Sequence, residues 1–462
     1  MSRAYEQRSG KEGYRQQLNR MIQTFLHCVI LLFLITSPMG AVSSEKARSL
    51  EQDTINDPEE LADLEKAASR IRELEFQQKV DYQVIDRSSI REVINARINE
   101  EFPPGKLEKV SIAYAKLGLI EEGLNLREAI LGLYSEQIAA FYDQKKRKLY
   151  SIKGLPFSKA FQKVLMVHEL THALQDQNFD LSTLPLESKD NDDRALAALS
   201  LVEGDATLAF TQYARDEASL GLKDILSATA ASQKGLIEAP YVIRKNLMFP
   251  YMEGVKFVTR LYSKGGWEMV NKAYKDQPQS TEQIMHPDKY IKQRDDPVPI
   301  VLPDLSSLAK KKWELLEDNV LGELNTKILF TQFLGSIRAM KPSRGWGGDR
   351  FRVYRVEGGE AMILVWGTAW DTEKDREEFV SRYLQAMKKK YKGKEFRTVE
   401  SGDSACLISE DVVIWLGWAE KKALVLEAPD QPTLLAMIWE FVKASGGLQI
   451  TQDTPSPESA EE

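Results

Sequence analysis

The segment Val164–Gln177, VLMVHELTHALQDQ, places two histidines four residues apart in a largely apolar stretch. Residues four apart lie on the same face of an α-helix, so His168 and His172 can present two imidazoles to one metal ion. Glu169 then falls beside them, where its carboxylate can reach a water molecule next to the metal. The segment predicts a helix with a zinc site suited to hydrolysis, since zinc lowers the pKa of water and the glutamate can take the proton.

The helix prediction has independent support from the neighbouring residues. Ser158 is a candidate N-cap, and apolar side chains recur at helical spacing at Phe161, Val164, Leu165, Leu170, Ala173 and Leu174. The chain has only four histidines, so the chance of an accidental H-E-x-x-H is on the order of a few in a thousand. The alternative is a core helix with two hydrogen-bonded histidines, in which Glu169 would be ionised among apolar neighbours without an evident partner.

A catalytic zinc ion needs a third protein ligand, and no third histidine follows at a short distance. The candidate is a carboxylate on a later helix. Asp190–Asp192 can cap a helix over Arg194–Arg215, and Glu203 lies in an apolar stretch in the middle of that helix, where an unpaired glutamate would be costly to bury. Asp205 is the competing ligand, or a hydrogen-bond partner of a ligand histidine. The alternative for Glu203 is a solvated charge.

These residues resemble the gluzincin class of zinc metallopeptidases, whose aminopeptidase-type members place the third ligand in a Glu-Gly-x-Ala sequence. Glu203–Ala206, EGDA, fits this pattern, and the resemblance implies that Glu203 is the third ligand. Those enzymes also carry Tyr-x-x-Gly, whose tyrosine hydroxyl stabilises the oxyanion, and Tyr251–Gly254 matches it. The alternative for Tyr251 is a tyrosine that anchors the start of a helix. Thr207 stands where several gluzincins keep an aspartate that orients a zinc histidine, so the resemblance leaves open which group supports the histidines.

More closely, the chain from about 130 to 370 resembles a set of poorly characterised bacterial HExxH proteins. The matching segments are, in chain order, Ala140–Asp143, His168–Gln177, Leu201–Thr207, Phe249–Gly254, Gly265–Trp267, Ser280–Tyr290 and Gly345–Arg350. The catalytic role implied by this resemblance depends on the HExxH segment alone.

Two further segments are candidates for a role in the cleft. His286 could assist the oxyanion or hold the product, or it could be a loop residue that keeps Pro287 and Tyr290 in place. The segment Phe141–Ile152 predicts a hairpin, because a charged turn separates two arms with aromatic residues. Its arm Lys148–Ile152 could be the edge strand that pairs with an extended peptide substrate, by analogy with zincin-like folds.

The N-terminus predicts export. Residues 1–20 carry a net charge of +3, Met21–Ser44 contains no charged residue, and Phe25–Ile35 is an apolar core followed by small residues. This pattern is typical of a secretory signal peptide, here assigned to residues 1–43. The alternative is an uncleaved signal anchor or a buried helix, but 11 residues are few against the roughly 20 that a membrane-spanning helix needs. We expect a periplasmic or extracellular protein, attached to a membrane only if the signal segment stays.

The rest of the 462-residue chain reads as an α+β protein of two domains. Residues 44–340 are expected to form a mostly helical, zincin-like metallopeptidase domain with a small sheet on its N-terminal side, with helices dominating from 158 to about 340. Residues 341–450 should form a smaller α+β sandwich with helices on one face of a sheet, and 451–462 a disordered acidic tail. The net charge of −7 gives no general attraction to phosphate backbones, so nucleic acid is not an expected partner.

The sequence thus predicts an exported zinc peptidase that acts on peptides or proteins. One catalytic zinc ion would be held by His168, His172 and Glu203. Glu169 would be the general base, and Tyr251 and His286 would stabilise the oxyanion. The rival is a catalytically silent zinc-binding protein that binds partners through its C-terminal domain. Glu169 favours the enzyme, because a structural zinc site needs no general base and usually has four protein ligands.

Overall fold

A computed structural model describes residue 55 and residues 57–154, 157–187, 190–218 and 239–444. The predicted signal peptide and the predicted acidic tail lie outside these residues. The described residues divide into two compact units, the first within residues 55–111, 119–297 and 321–328 and the second within residues 112–118, 298–320 and 329–444. Both contain helices and strands, so the α+β prediction is confirmed. Within the described residues no helix is both long and apolar enough to cross a membrane.

The first unit is mostly helical and contains a small sheet. From its first described helix to the last strand of that sheet, its elements are α1 (Pro58–Arg72), β1 (Asp81–Ile85), α2 (Ile90–Glu101), α3 (Lys106–Leu117, whose last residues belong to the second unit), α4 (Leu126–Gln137), β2 (Ala140–Asp143) and β3 (Lys148–Ile152). The helices that follow are α5 (Lys159–Phe179), α6 (Asp192–Asp216), α7 (Tyr241–Phe249), a π-helical turn (Pro250–Gly254), α8 (Val255–Lys275), α9 (Thr281–Met285) and α10 (Asp288–Ile291).

The helices α5 and α6 begin where the sequence predicts. The Ser158 hydroxyl accepts a hydrogen bond from the Phe161 N–H at 3.3 Å and caps α5. The Asn191 side chain accepts from the Arg194 N–H at 2.9 Å and caps α6. Each cap satisfies one of the N–H groups that the first turn of a helix leaves without a partner. These two helices pack against each other, and they carry the candidate metal ligands.

The three-stranded sheet has the order β1–β3–β2. The predicted hairpin is present, with β2 and β3 antiparallel, but β1 pairs with the other side of β3 in parallel. The strand Lys148–Ile152 is therefore central, and the prediction that it offers a free edge to a substrate is wrong, because Asp81–Ile85 already occupies that edge. The outer strand on the hairpin side is Ala140–Asp143.

The second unit contains an eight-stranded sheet of order β4–β5–β6–β7–β11–β10–β9–β8, antiparallel throughout. Its strands are β4 (Ser307–Leu308), β5 (Lys311–Asn319), β6 (Trp346–Val356), β7 (Met362–Trp370), β8 (Arg397–Ser401), β9 (Ser404–Ile408), β10 (Val413–Ala419) and β11 (Lys422–Ala428). Its helices are α12 (Ser336–Ser343), α13 (Glu373–Lys390), α14 (Gln431–Ala444) and the C-terminal part of α11 (Gly322–Leu334).

Helices cover both faces of this sheet, not one face as predicted. Consecutive strand residues point to opposite faces. On β7, Val365 belongs to the core cluster that contains Leu434 of α14, whereas the Trp366 ring lies 5.3 Å from the Phe379 ring of α13. The sheet is the middle of three layers.

The sheet also starts earlier in the chain than expected. The strands β4 and β5 lie before residue 340, in a region predicted to be helical, and the second unit takes up the chain again at Val298 rather than at 341. The strand β5 was not predicted because it contains a β-bulge between Leu315 and Glu317. The bulge exposes Leu315 and buries Leu316, which breaks the alternation that marks a strand in a sequence.

Candidate metal centre

The structure brings His168, His172 and Glu203 together in the first unit. The two Nε2 atoms of the histidines lie 3.1 Å apart, and the Glu203 Oε2 atom lies 3.2 Å from the Nε2 of His168 and 3.5 Å from that of His172. All three side chains are buried. The helix α5 supplies the histidines one turn apart, and α6 packs beside it with Glu203 directed at them. Three ligating atoms therefore converge on one point.

The charges of this group favour a cation. Burial opposes ionisation, but the interaction with His172 and His168 outweighs it and lowers the pKa of the Glu203 carboxyl to about 2. Burial also opposes a charge on His172, yet the Glu203 carboxylate raises the pKa of that histidine to about 9. Burial lowers the pKa of His168. An ionised carboxylate beside two buried imidazoles therefore favours a positive charge at this point.

Glu169 lies beside the three ligating groups and is itself 6% exposed. Its Oε2 atom accepts a hydrogen bond of 3.0 Å from the backbone N–H of Tyr142 on β2. Burial and the nearby charge of Glu203 raise the pKa of Glu169 to about 8, although His172 and the Tyr142 N–H act in the opposite direction. A carboxyl with this pKa can exchange a proton near neutral pH.

Tyr251 lies next to His168, in the π-helical turn that follows α7. Its ring centroid is 6.3 Å from that of His168, and the side chain is buried. Two glycines make this approach possible. A Cβ on Gly204 would lie 2.3 Å from the carbonyl oxygen of Gly254, and a Cβ on Gly254 would lie 2.3 Å from that of Ser200. The glycines of the Glu-Gly and Tyr-x-x-Gly segments therefore pack against the opposite backbone.

Asp205, the competing candidate ligand, belongs to a different group. Its carboxylate faces Arg72 at the end of α1 and accepts a hydrogen bond from the Tyr274 hydroxyl. Asp205 is not a member of the cluster formed by His168, His172 and Glu203.

His286 is also outside the cluster of ligating atoms. Its Nε2 atom lies 3.0 Å from Oε2 and 3.1 Å from Oε1 of Glu323, and the side chain is 32% exposed. This contact links the end of α9 to the start of α11.

Sequence reasoning missed three residues that contact this site or its surroundings. Gln175 hydrogen-bonds His172, Tyr142 donates its N–H to Glu169, and Arg72 pairs with Asp205. Gln175 lies three residues after His172, on the same helix face, and this spacing is a usable signal. Tyr142 lies in the matching segment Ala140–Asp143 but contacts Glu169, 27 positions away, and Arg72 lies 133 positions from Asp205, so no local spacing predicts either contact. Thr207 does not support a histidine, since its buried hydroxyl has no hydrogen-bond partner among the described residues.

Comparisons with known proteins reach only the C-terminal part of the chain. The family model described as Domain of unknown function (DUF8575) matches residues 314–437, well under half of the chain and outside the residues that form the metal cluster. No curated protein matches the chain. No solved structure matches it either.

Proposed function

We propose that this protein is a zinc-dependent peptidase whose single zinc ion is held by His168, His172 and Glu203. The observation that carries the proposal is the spacing of the three ligating atoms. Two atoms about 2.05 Å from a zinc ion and separated by a tetrahedral angle lie about 3.3 Å apart. The three separations here are 3.1, 3.2 and 3.5 Å. Two imidazoles and one carboxylate, with no fourth protein ligand in the described cluster, form the ligand set of a catalytic rather than a structural zinc site.

When bound, zinc would supply a Lewis acid that acidifies water and polarises a carbonyl group. The chain's own residues would handle the protons. The Glu169 carboxylate is positioned by the Tyr142 N–H, so it can accept a proton from the attacking water and release it to the leaving amine. The Tyr251 phenol next to His168 can donate a hydrogen bond where negative charge develops on the former carbonyl oxygen.

We also propose that the substrate is a peptide or protein encountered outside the cytoplasm. The support is the N-terminal sequence, with its net charge of +3 followed by the uncharged, apolar stretch of Met21–Ser44. For the second unit, which the domain of unknown function matches over most of its length, we propose no catalytic role.

The test compares the wild type with the Glu169→Gln variant, assayed on casein and on a quenched peptide library while bound zinc is measured. We expect equal zinc in both proteins and cleavage only by the wild type, because the amide cannot accept the proton. Zinc bound by both proteins and no cleavage by either would contradict the peptidase and support a silent zinc-binding protein. Equal cleavage by both would contradict the role of Glu169.

A further inference from the structure

Gln175 connects the two helices that carry the candidate ligands, and it is fully buried. Its Oε1 atom lies 2.8 Å from Nδ1 of His172, and its Nε2 atom donates a hydrogen bond of 3.0 Å to the backbone carbonyl of Val202. Val202 directly precedes Glu203. One side chain on α5 therefore contacts a histidine of its own helix and the residue next to the carboxylate on α6.

These contacts determine where the proton of the His172 ring lies. A backbone carbonyl can only accept, so the Val202 oxygen must face the NH2 group of the Gln175 amide. The amide oxygen then faces Nδ1, and an oxygen acceptor requires that Nδ1 carries hydrogen. The lone pair of the neutral ring is left on Nε2, the atom that faces His168 and Glu203.

From this geometry we infer that Gln175 is a positioning residue for the metal, which fixes the tautomer of His172 and its distance from Glu203. The inference rests on the proposed metal site and adds the residue that prepares it. Hydrogen bonds to the distal nitrogen of a ligand histidine orient the ring and raise its basicity, and their loss typically weakens metal affinity about 10- to 100-fold. The described hydrogen bonds of the Gln175 side chain reach His172 and Val202 but not His168, so Gln175 acts on one ligand histidine only.

A matched control lies on the same helix. Gln162 is also buried, and its Nε2 atom donates a hydrogen bond of 3.0 Å to a backbone carbonyl, that of Phe157, away from the histidines. Methionine has nearly the same length as glutamine but cannot replace its hydrogen bonds. Comparing Gln175→Met with Gln162→Met separates the effect on the metal from the general cost of removing a buried amide.

The first measurement is the zinc dissociation constant, from competition with a chelator at fixed pH, with folding checked by circular dichroism. We expect about 10- to 100-fold weaker binding for Gln175→Met and a smaller change for Gln162→Met. Gln175→Glu retains an acceptor for Nδ1 and should bind zinc more tightly than Gln175→Met. An affinity of Gln175→Met equal to that of Gln162→Met would overturn the inference.

The second measurement is made on the wild type, so its result does not depend on whether a variant folds. Nuclear magnetic resonance of the zinc-loaded wild type with ¹⁵N-labelled histidine reports which ring nitrogen of His172 carries hydrogen. We expect hydrogen on Nδ1 and the metal on Nε2, and the reverse assignment would overturn the inference.

Zinc affinity separates the failure of this inference from that of the proposed function. If the wild type binds zinc no better than His172→Ala, the proposed function itself fails. If zinc binds normally but depends on Gln175 no more than on Gln162, only the role of Gln175 fails.

Discussion

Arg72 and Asp205, 133 residues apart in the chain, form an ion pair that is fully buried in the first unit. The Arg72 Nε atom lies 2.6 Å from Oδ1 of Asp205, and its Nη2 atom lies 3.0 Å from Oδ2. The guanidinium also donates to Asn271 and lies 4.3 Å from the centre of the Trp267 ring. Asp205 is two residues from Glu203 on α6, so this pair holds α1, the first of the described helices, to the helix that carries the third candidate ligand.

Replacing Arg72 by methionine should strongly destabilise the first unit. The variant leaves the Asp205 carboxylate buried without its counter-charge, which typically costs about 3–5 kcal/mol. Arg70→Met is the control, since Arg70 lies on the same helix but is exposed in its ion pair with Glu217, and exposed pairs contribute about 1 kcal/mol or less. Urea denaturation measures both variants. Equal losses in the two variants would show that the buried pair does not stabilise the fold.

Alanine at Gly204 or Gly254 should destabilise the packing between α6 and the turn that carries Tyr251. The added methyl group would overlap backbone atoms that cannot move aside, and overpacking of this kind costs about 1–3 kcal/mol. Gly132 in α4 provides the opposite case, because a Cβ there meets no atom within 4 Å. Gly132→Ala should stabilise the protein by up to about 1 kcal/mol, the ordinary gain in a helix interior. The midpoint temperature of thermal unfolding should therefore fall for the Gly204 and Gly254 variants and rise for Gly132→Ala. A higher midpoint temperature in all three variants would contradict the close packing of Gly204 and Gly254 against the opposite backbone.

The second unit should lose stability in acid through Glu427, which is fully buried beside Lys116 and Lys390. Burial disfavours its charge, but the two lysines outweigh burial and lower the pKa of Glu427 from 4.5 to about 2. The stabilisation is complete above pH 4.5 and is lost as the pH falls towards 2, because only the unfolded chain takes up the proton in that range. Its size is on the order of 3 kcal/mol.

The check is the free energy of unfolding measured between pH 7 and pH 2. Glu427→Gln should be less stable at neutral pH, where its lysines lack a partner, and its stability should fall less steeply below pH 4.5. The comparison isolates one carboxyl from the others that titrate in the same range. Equal slopes for the wild type and the variant would show that Glu427 does not retain its charge in the folded state.

The helices of the site could be predicted because their signals are local. The spacing of His168 and His172 favours a helix, and Ser158 and Asn191 each cap an N–H group only three residues further along the chain. The pairing of β1 with β3 could not be predicted, since it joins residues 67 positions apart, such as Asp81 and Lys148, and no local pattern records it. It was this pairing that placed β3 in the centre of its sheet.

The strands that the sequence did not reveal lack the usual alternation for two physical reasons. In β5 the bulge after Leu315 shifts the inward face by one residue. In β8, Arg397–Ser401, every residue is exposed because the strand is the last of its sheet, so no apolar face marks it. Tyr142 and Arg72 escaped prediction because each acts through a contact between distant parts of the chain, whereas the spacing of Gln175 from His172 could have indicated its contact.

The most direct test of the account is the zinc content of Glu203→Ala after dialysis at nanomolar free zinc, beside the wild type and Asp205→Asn. Glu203 faces the two imidazoles, whereas Asp205 faces Arg72. We predict a full equivalent of zinc in the wild type, retention in folded Asp205→Asn and loss in Glu203→Ala. A full equivalent in folded Glu203→Ala would contradict the assignment of Glu203 as the third ligand, and with it the metal centre described here.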